Sequence, residues 1–371
     1  MTYGTVNADT LVTSTSGGIL GAGNASIMKN RIINGAMMIS QRNGTTATSQ
    51  TNGSYNLDRY SSISYTGGAT TGKFTVTQSS TAPAGFINSL LVTASTATST
   101  SATDIYTILQ IIEGYNISDL GWGSASNGKI VTLSFWTRSS ATGTFGGNIR
   151  NQNSDWSYPF TYTISSANTF EYKTITIPAP TAGGTWQTDN SAGIYVFFNI
   201  QVGTSFSLSA TGAWQNSGAY GASGCVNLLN NSGATWYMTG LQLEVGSSAT
   251  GFEYVNYQTS LANCQRYYAK MGQGSASFAA FGSGMYNGPT STNLFVKYPT
   301  TMRASPTLSY GGNVQVTTAT TGNNITAINA TYMGLDSCLW QPSGVSGTTG
   351  YGAVLMGNSD NTCYVAFSAE L

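Results

Sequence analysis

Histidine is absent from the 371 residues of this chain. Without an imidazole, the chain has no Ser-His-Asp triad, no Cys-His nucleophile pair and no histidine-ligated zinc ion. This excludes every catalytic mechanism that needs an imidazole.

Charged residues are also scarce, at 7% of the chain, where about 25% is usual for a soluble protein. Hydrophobic residues still make up 40% of the sequence, so uncharged polar residues and glycine replace the missing charge. The 13 basic and 13 acidic side chains balance and lack the excess of basic residues typical of nucleic-acid-binding proteins. We therefore expect no nucleic-acid partner and no membrane insertion.

The four cysteines, Cys225, Cys264, Cys338 and Cys363, form no CxxC pair that would hold a metal. We expect buried free thiols, which behave as small hydrophobic groups, with a disulfide between Cys338 and Cys363 as the alternative. No ligand pattern specifies a metal or another cofactor, so we expect none. A calcium ion held by loop oxygens stays open, without named ligands.

Long apolar runs are missing as well, and no window approaches the roughly 20 residues of a membrane-spanning helix. The N-terminal MTYGTVNADTLVTSTSGG has neither the basic start nor the apolar centre of a secretory signal. The sequence therefore predicts folding in a cytoplasm.

Alternating hydrophobicity is what the chain does contain. In KIVTLSFWTR, residues Val131, Leu133 and Phe135 share one face of a predicted strand, while Trp136 and Arg138 lie on the other. Similar alternation places Ile175 and Ile177 inward in EYKTITIP. In GIYVFFNIQV the pattern predicts one inward face for Ile194, Val196, Phe198, Ile200 and Val202. In WYMTGLQLEV it predicts one shared face for Tyr237, Leu241, Leu243 and Val245. Clusters of Gly, Asn, Ser and Pro separate these runs as turns, which indicates an all-β, antiparallel protein.

Three segments follow one another along the chain. Residues 1–28 have too few apolar side chains for a core and are predicted to be an extended N-terminal anchor. Residues 29–262 are predicted to form a jelly-roll sandwich, and residues 263–371 a second, smaller β-sandwich. The only helix we expect is a short one in TSLANCQRYYAK, and the final strand is expected to lie centrally in its sheet.

Several sequence blocks resemble a family of bacteriophage and prophage virion proteins. They include NRIINGAMMISQRNG, YNLDRY, ILQIIEG, GKIVTLSFWTRSS and the terminal FSAEL, and the resemblance extends from Asn30 to Leu371. These tail-fibre-like proteins have a central domain similar to jelly-roll carbohydrate-binding modules. The resemblance implies a structural virion component that meets the host surface, a homotrimer, and no catalytic residues to carry over.

All of the charged residues in 240–271 are Glu244, Glu253, Arg266 and Lys270. We interpret these residues as a structural joint, in which Glu244 points away from the core and pairs with Arg266 or Lys270. The alternative is that the two carboxylates are the acid and base of a glycosidase, but a spacing of this kind is weak support for it.

Sugar binding is predicted for residues that combine an aromatic platform with polar groups. Trp136 lies on the polar face of its strand, and Trp186 and Trp214 lie in polar loops. The preferred candidate is the loop around NIRNQNSDWSYP, which supplies Asn148, Arg150, Asp155, Trp156 and Tyr158. The alternative for each tryptophan is a core or subunit-interface residue.

Host contact is predicted to reside in the C-terminal sandwich, because it lies opposite the predicted anchor along the chain, with the jelly roll as a spacer or secondary sugar site. The loops of the C-terminal sandwich are rich in Tyr, Asn, Ser and Gly, a composition suited to recognition. We predict contacts from Tyr286, Tyr332, Trp340 and Tyr351; loops that serve only as soluble tips or trimer contacts are the alternative.

The predicted function is that of a non-enzymatic virion structural protein, a tail fibre or tail appendage. It is expected to assemble as a homotrimer in the host cytoplasm, to attach to another virion protein through residues 1–28, and to bind a host-surface glycan. Two alternatives stay open, a virion-bound polysaccharide depolymerase and a capsid-attached fibre or decoration protein without a receptor role.

Overall fold

A computed structural model describes residues 10–12, 19–21, 29–67, 69–70, 72–272, 277–319 and 321–371. The described residues up to Tyr257 form one compact unit, and those from Gln258 onward form a second. The boundary predicted after residue 262 falls within the helix Tyr257–Gln265.

Two short strands near the N-terminus form an antiparallel hairpin, β1 (Thr10–Val12) and β2 (Ile19–Gly21). The rest of residues 1–28 lies outside the described residues. The predicted anchoring role of this segment therefore remains a prediction.

The first unit is a sandwich of two antiparallel sheets. One sheet has six strands in the order β13-β10-β17-β8-β7-β3, and the other has seven, β12-β11-β14-β9-β5-β4 with β6 paired to β5. The strands are β3 Thr48–Ser49, β4 Ser54–Tyr55, β5 Tyr60–Thr66, β6 Ala69–Thr70, β7 Phe74–Ser79, β8 Ser89–Ala94, β9 Ile105–Glu113, β10 Val131–Ser139, β11 Gly143–Asn151, β12 Ser157–Ile164, β13 Glu171–Ile177, β14 Ala192–Val202, β15 Ser207–Leu208, β16 Gly221–Ala222 and β17 Thr235–Val245. Short 3-10 helices lie at Gly114–Asn116, Ser118–Leu120 and Leu228–Asn230.

The core of the first unit lies between the two sheets and follows the predicted alternation. Val131, Leu133 and Phe135 of β10 are fully buried, while Trp136 and Arg138 are partly exposed. From β14, Ile194 to Ile200 contribute every second side chain to the same core, but Val202 is only half-buried after an irregularity at Asn199/Gln201.

A β-bulge in β17 reverses part of the prediction for that strand. Gln242 pairs with Ser134, but Thr239 pairs with Trp136, so β17 has one extra residue at Gly240. Gly240 has φ +62° and supplies the left-handed conformation that the bulge needs. Leu241 and Leu243 face the core as predicted, whereas Tyr237 lies on the opposite face, and Val245 is exposed.

The second unit begins with a short helix and continues as two sheets. The predicted helix is confirmed in part as α1, Tyr257–Gln265, with Cys264 as its buried residue, but Tyr268–Met271 form a strand instead. A three-stranded sheet has the order β18-β27-β21, so the final strand is central as predicted, and a seven-stranded sheet has the order β23-β22-β26-β19-β20-β25-β24. The strands are β18 Tyr268–Met271, β19 Ala280–Gly288, β20 Ser291–Lys297, β21 Thr307–Gly311, β22 Val314–Thr317, β23 Gly322–Asn324, β24 Ala327–Met333, β25 Ser337–Ser343, β26 Gly352–Gly357 and β27 Tyr364–Ser368.

The predicted fold class is confirmed as an all-β, jelly-roll-type sandwich followed by a smaller β-sandwich. All four cysteines are free thiols, and Cys264, Cys338 and Cys363 are buried. In the described part of the chain, no helix is long and apolar enough to cross a membrane.

Replacing a core aromatic residue should destabilise the first unit strongly. Phe198 packs against Phe135, Phe160 and Trp236 with centroid distances of 5.1, 6.0 and 5.8 Å. We expect Phe198→Ala to lower the free energy of unfolding by about 3–5 kcal/mol, because the lost ring leaves a cavity. Urea denaturation followed by near-ultraviolet circular dichroism measures this change.

The matched control is Tyr115→Ala, since Tyr115 is an exposed aromatic residue of the same unit. A similar loss of stability in both variants would contradict the assignment of Phe198 to the core.

Candidate functional site

An aromatic pair lies near one edge of the outer face of the six-stranded sheet. Trp136 of β10 lies directly opposite Tyr172 of β13, with ring centroids 5.4 Å apart and planes inclined by 48°. Tyr172 is 43% exposed, and Trp136 is half-buried. Two adjoining aromatic faces at the surface form a platform on which a flat apolar group can stack.

Polar groups adjoin this pair. Partial burial raises the pKa of the Tyr172 phenol, a hydrogen bond with Ser134 opposes the rise, and the charge of Glu244 adds to it. The phenol therefore remains protonated at neutral pH. It can donate a hydrogen bond to a ligand as well as stack on it.

Arg138 extends the surface along β10. Its guanidinium carbon lies 5.0 Å from the centroid of the Tyr237 ring and 5.9 Å from that of Phe170, and these two rings contact each other edge to face. Tyr237 reaches this face because of the bulge at Gly240. We call the five side chains the aromatic strip: Trp136, Arg138, Phe170, Tyr172 and Tyr237.

The bulge brings a second aromatic group close to Trp136. A Cβ atom on Gly240 would lie 2.7 Å from the ring of Phe86 and 3.1 Å from Cδ1 of Trp136. Phe86 in turn packs against Phe252 and Tyr254. Any larger residue at position 240 would therefore displace one of the rings beside the strip.

The preferred sequence candidate, residues 148–158, is not an open sugar site. Asn148 and Arg150 face outward from the seven-stranded sheet, but residues 203–226, here called the covering segment, bury them. Asn148 donates to the carbonyl of Ala219, and Arg150 donates to that of Gly218 at 3.0 Å. The prediction that these two residues contact a glycan is therefore corrected, because they bind the covering segment.

Arg150 is held in place by aromatic rings as well as by that hydrogen bond. Its guanidinium carbon lies 5.4, 4.9 and 4.4 Å from the ring centroids of Tyr195, Phe197 and Tyr220. Cation–π contacts are strongest where water is excluded. They explain how a positive charge is retained beneath the covering segment.

The remaining residues of the predicted loop have mainly structural contacts. Asp155 is exposed and accepts a hydrogen bond from Asn151 at 2.5 Å, while Trp156 packs against Gly183 and Gly184. Tyr158 is buried and donates to the carbonyl of Thr176 at 3.3 Å, so the prediction that it contacts a ligand is also corrected.

Three tryptophans from separate loops pack together beside Tyr158. Trp122, Trp186 and Trp214 contact one another edge to face, with centroid distances of 4.9, 5.3 and 5.4 Å. Each indole N–H donates to a backbone carbonyl, of Lys129, Gly183 and Pro178 respectively. The rings cover one another's faces, which favours a packing role over a stacking platform.

Glu244 and Glu253 fasten a loop within the first unit. Glu244 is 1% exposed and accepts hydrogen bonds from Gln242 and Thr250, with Lys29 Nζ at 3.9 Å. Glu253 accepts a hydrogen bond from the backbone N–H of Asn30 at 2.8 Å. The expected pairing of Glu244 with Arg266 or Lys270 is therefore corrected, because Lys29 is its cationic partner.

The two basic residues of the predicted joint have contacts inside the second unit. The carbonyl of Arg266 accepts a hydrogen bond from the backbone N–H of Arg303 at 2.8 Å. The Nζ atom of Lys270 lies 4.1 Å from the centroid of the Tyr364 ring. The four charged residues that are close in sequence thus divide between two separate sets of contacts.

The predicted contact residues of the second unit also divide. Tyr286 and Trp340 are fully buried core residues, so the prediction that they contact a receptor is corrected. Tyr332 and Tyr351 are exposed, at 64% and 58%. Tyr332 ends a row of paired residues across the outer face of the seven-stranded sheet, Val354, Ser283, Phe295, Leu339 and Tyr332.

A cavity of about 340 Å³ lies beside the covering segment and is lined partly by Asn199, Ser223 and Cys225. Burial raises the pKa of the Cys225 thiol to about 11, so the thiol is a poor nucleophile at neutral pH. Among the described residues, no group of three or more Cys, Asp or Glu side chains could hold a metal ion.

Comparison with known proteins shows no matching family model and no curated protein with detectable similarity. Solved structures that resemble part of the chain include the following three. The enzymatically active domain of tailspike protein 4 from bacteriophage CBA120 is 14% identical, with a TM-score of 0.30, over 59% of this chain but only 22% of that one. A putative sugar-binding protein from Bacteroides thetaiotaomicron is 10% identical, with a TM-score of 0.34, over 58% of this chain and 100% of that one.

The third structure is a family 11 carbohydrate-binding module of a Clostridium thermocellum cellulosomal cellulase. It is 14% identical, with a TM-score of 0.27, over 56% of this chain and 98% of that one. At these identities and TM-scores the likenesses assign no function to this chain.

Adding a methyl group under the covering segment should loosen it. A Cβ atom on Gly221 would lie 2.1 Å from Oδ1 of Asn199, whose buried amide donates to the carbonyl of Ala222 at 3.2 Å and so cannot move freely. We expect Gly221→Ala to lower the free energy of unfolding by about 1–3 kcal/mol, because overpacking displaces this segment. Hydrogen exchange of the Tyr220 and Ser223 amides should accelerate.

Gly251→Ala is the control, since a Cβ atom there meets no other atom within 4 Å. Unchanged exchange at Tyr220 and Ser223 in Gly221→Ala would contradict the close packing of the covering segment on the sheet.

Proposed function

We propose that this chain is a non-enzymatic phage virion structural protein, a tail fibre or tail appendage, that binds a host-surface glycan through the aromatic strip. One observation carries the glycan-binding part of the proposal: Trp136 and Tyr172 form an adjoining, partly exposed aromatic pair near one edge of the six-stranded sheet. The sequence resemblance to tail-fibre-like proteins supports the virion role.

The chemistry of the strip suits a sugar. A pyranose has an apolar face of C–H groups that stacks on an aromatic ring, and hydroxyl groups that need hydrogen-bonding partners. Trp136 and Tyr172 provide the rings. The Tyr172 phenol and the Arg138 guanidinium provide polar groups at the edge of the same surface.

Contacts of the acidic residues support a non-enzymatic role. A glycosidase of the usual kind needs one carboxyl group to act as acid and another to act as nucleophile or base. Glu244 is buried and already accepts hydrogen bonds from two residues, and Glu253 accepts one from a backbone amide. Neither carboxylate is placed on the aromatic strip.

Oligomerisation strengthens weak sugar binding. A single sugar site of this size is weak, and several copies on one particle multiply the effective affinity. We therefore retain the homotrimer and the attachment to another virion protein through residues 1–28 as parts of the proposal.

Removing either ring of the pair should weaken glycan binding. We expect Trp136→Ala and Tyr172→Ala each to reduce the affinity of the full chain for purified host-surface polysaccharide by about tenfold, because the stacking surface is lost. Surface plasmon resonance with immobilised polysaccharide measures this affinity.

Tyr115→Ala controls for the loss of an exposed tyrosine elsewhere in the first unit, and Tyr332→Ala tests the second unit. Loss of binding in Tyr332→Ala with normal binding in both strip variants would assign host recognition to the second unit instead.

The purified chain should leave the polysaccharide intact. We expect no release of reducing ends during prolonged incubation at neutral pH, because Glu244 and Glu253 are engaged in structural hydrogen bonds. A reducing-sugar assay measures the release. Cleavage that disappears in Glu244→Gln but persists in Tyr115→Ala would show that the chain is a depolymerase.

A further inference from the structure

We infer that the glycan is acidic and that Arg138 binds its carboxylate. This inference rests on the proposed glycan-binding role of the aromatic strip and specifies the chemical class of the ligand. It is carried by an arginine that the fold positions at the surface without giving it an acceptor.

Arg138 makes no hydrogen bond or ion pair with any described residue, and its protein contacts are the rings of Phe170 and Tyr237. Other arginines of the chain are engaged. Arg31 pairs with Asp119 at 2.8 Å, and Arg303 donates to the backbone carbonyls of Ala369 and Glu370. Arg150 donates to a backbone carbonyl beneath the covering segment.

The guanidinium of Arg138 is only partly accessible. Its Nε atom is buried and has no hydrogen-bond partner among the described residues. The two terminal nitrogens have no partner there either, but they are not buried. Both terminal nitrogens therefore retain access to solvent. This arrangement leaves two parallel N–H groups free for a bidentate contact with a carboxylate.

The carboxylates of Glu171 and Glu244, on the two strands that pair with β10, are already occupied. Glu171 lies opposite Thr137, the residue next to Arg138, in the register of the two strands. Its carboxylate accepts hydrogen bonds from Lys173 and from the backbone amides of Ser165 and Ser166. Glu244, whose charge helps to raise the pKa of Tyr172, forms an ion pair with Lys29 and accepts a hydrogen bond from the backbone N–H of Thr250. The positive charge of Arg138 is thus not neutralised locally and attracts an anionic ligand.

The position of Arg138 matches that of a charged substituent on a stacked sugar. Arg138 is two residues from Trp136 on the same face of β10, a separation of about 7 Å along a strand. A sugar stacked on Trp136 and Tyr172 therefore places a carboxylate, on the same ring or on its neighbour, within reach of the guanidinium.

Two small sugars that differ at one carbon test this inference on the full chain. Methyl β-glucuronide carries a carboxylate where methyl β-glucoside carries a primary alcohol. We expect the chain to bind the glucuronide about tenfold more tightly, because a charge-assisted hydrogen bond is added. Titrations followed by NMR at the indole N–H of Trp136 measure both affinities.

Arg138→Gln should abolish the preference for the glucuronide, because the charged partner of the carboxylate is lost. Arg138→Lys should restore part of the preference, since a single ammonium lacks the fork of the guanidinium. Lys297→Gln is the control, because it removes one positive charge from an exposed position in the second unit.

The outcomes separate this inference from the proposed function. Equal affinities for the two sugars, or a preference that survives Arg138→Gln, would overturn the acidic-ligand inference while leaving glycan binding by the strip intact. No response of Trp136 to either sugar would contradict the strip as a glycan site and the inference with it. A preference lost equally in Lys297→Gln would show that net charge alone attracts the glucuronide.

Discussion

The alternation of side chains along β10 couples the core of the first unit to its candidate binding surface. Phe135 packs in the core, and the adjacent Trp136 and Arg138 project from the opposite face. A shift of one residue in the strand register would turn Phe135 to the outer face and Trp136 and Arg138 to the core. The bulge at Gly240 interrupts this alternation in the neighbouring strand and brings Tyr237 to the outer face. The binding surface therefore depends on the same register that forms the core.

Scarce charge makes each ion pair of the first unit identifiable. Lys29 with Glu244 and Lys173 with Glu171 hold a loop and an edge strand in place. Both acidic residues also accept backbone N–H bonds, which charge strengthens in a partly buried site. Arg138 has no such partner among the described residues and lies beside aromatic rings at the surface. Its position is the basis for assigning an anionic ligand.

The covering segment buries polar residues on the outer face of the seven-stranded sheet. On the seven-stranded sheet, residues 203–226 cover Asn148, Arg150 and Asn199 and accept hydrogen bonds from all three. On the six-stranded sheet, Trp136 and Tyr172 remain partly exposed. Polar and aromatic side chains occur on both faces, so composition alone does not distinguish a ligand surface from a packing surface.

The sequence by itself determined the all-β class, the inward residues of β10, the helix α1 and the position of Trp136 on the outer face. These features follow from local periodicity, which reports the two sides of a strand. Only the tertiary structure decided that Tyr172 lies beside Trp136, that Asn148 and Arg150 are covered, and that Tyr286 and Trp340 are core residues. The bonds that cover Asn148 and Arg150 join residues 71 and 68 positions apart. Alternation shows which side a residue faces, but what lies against that side depends on how distant segments pack.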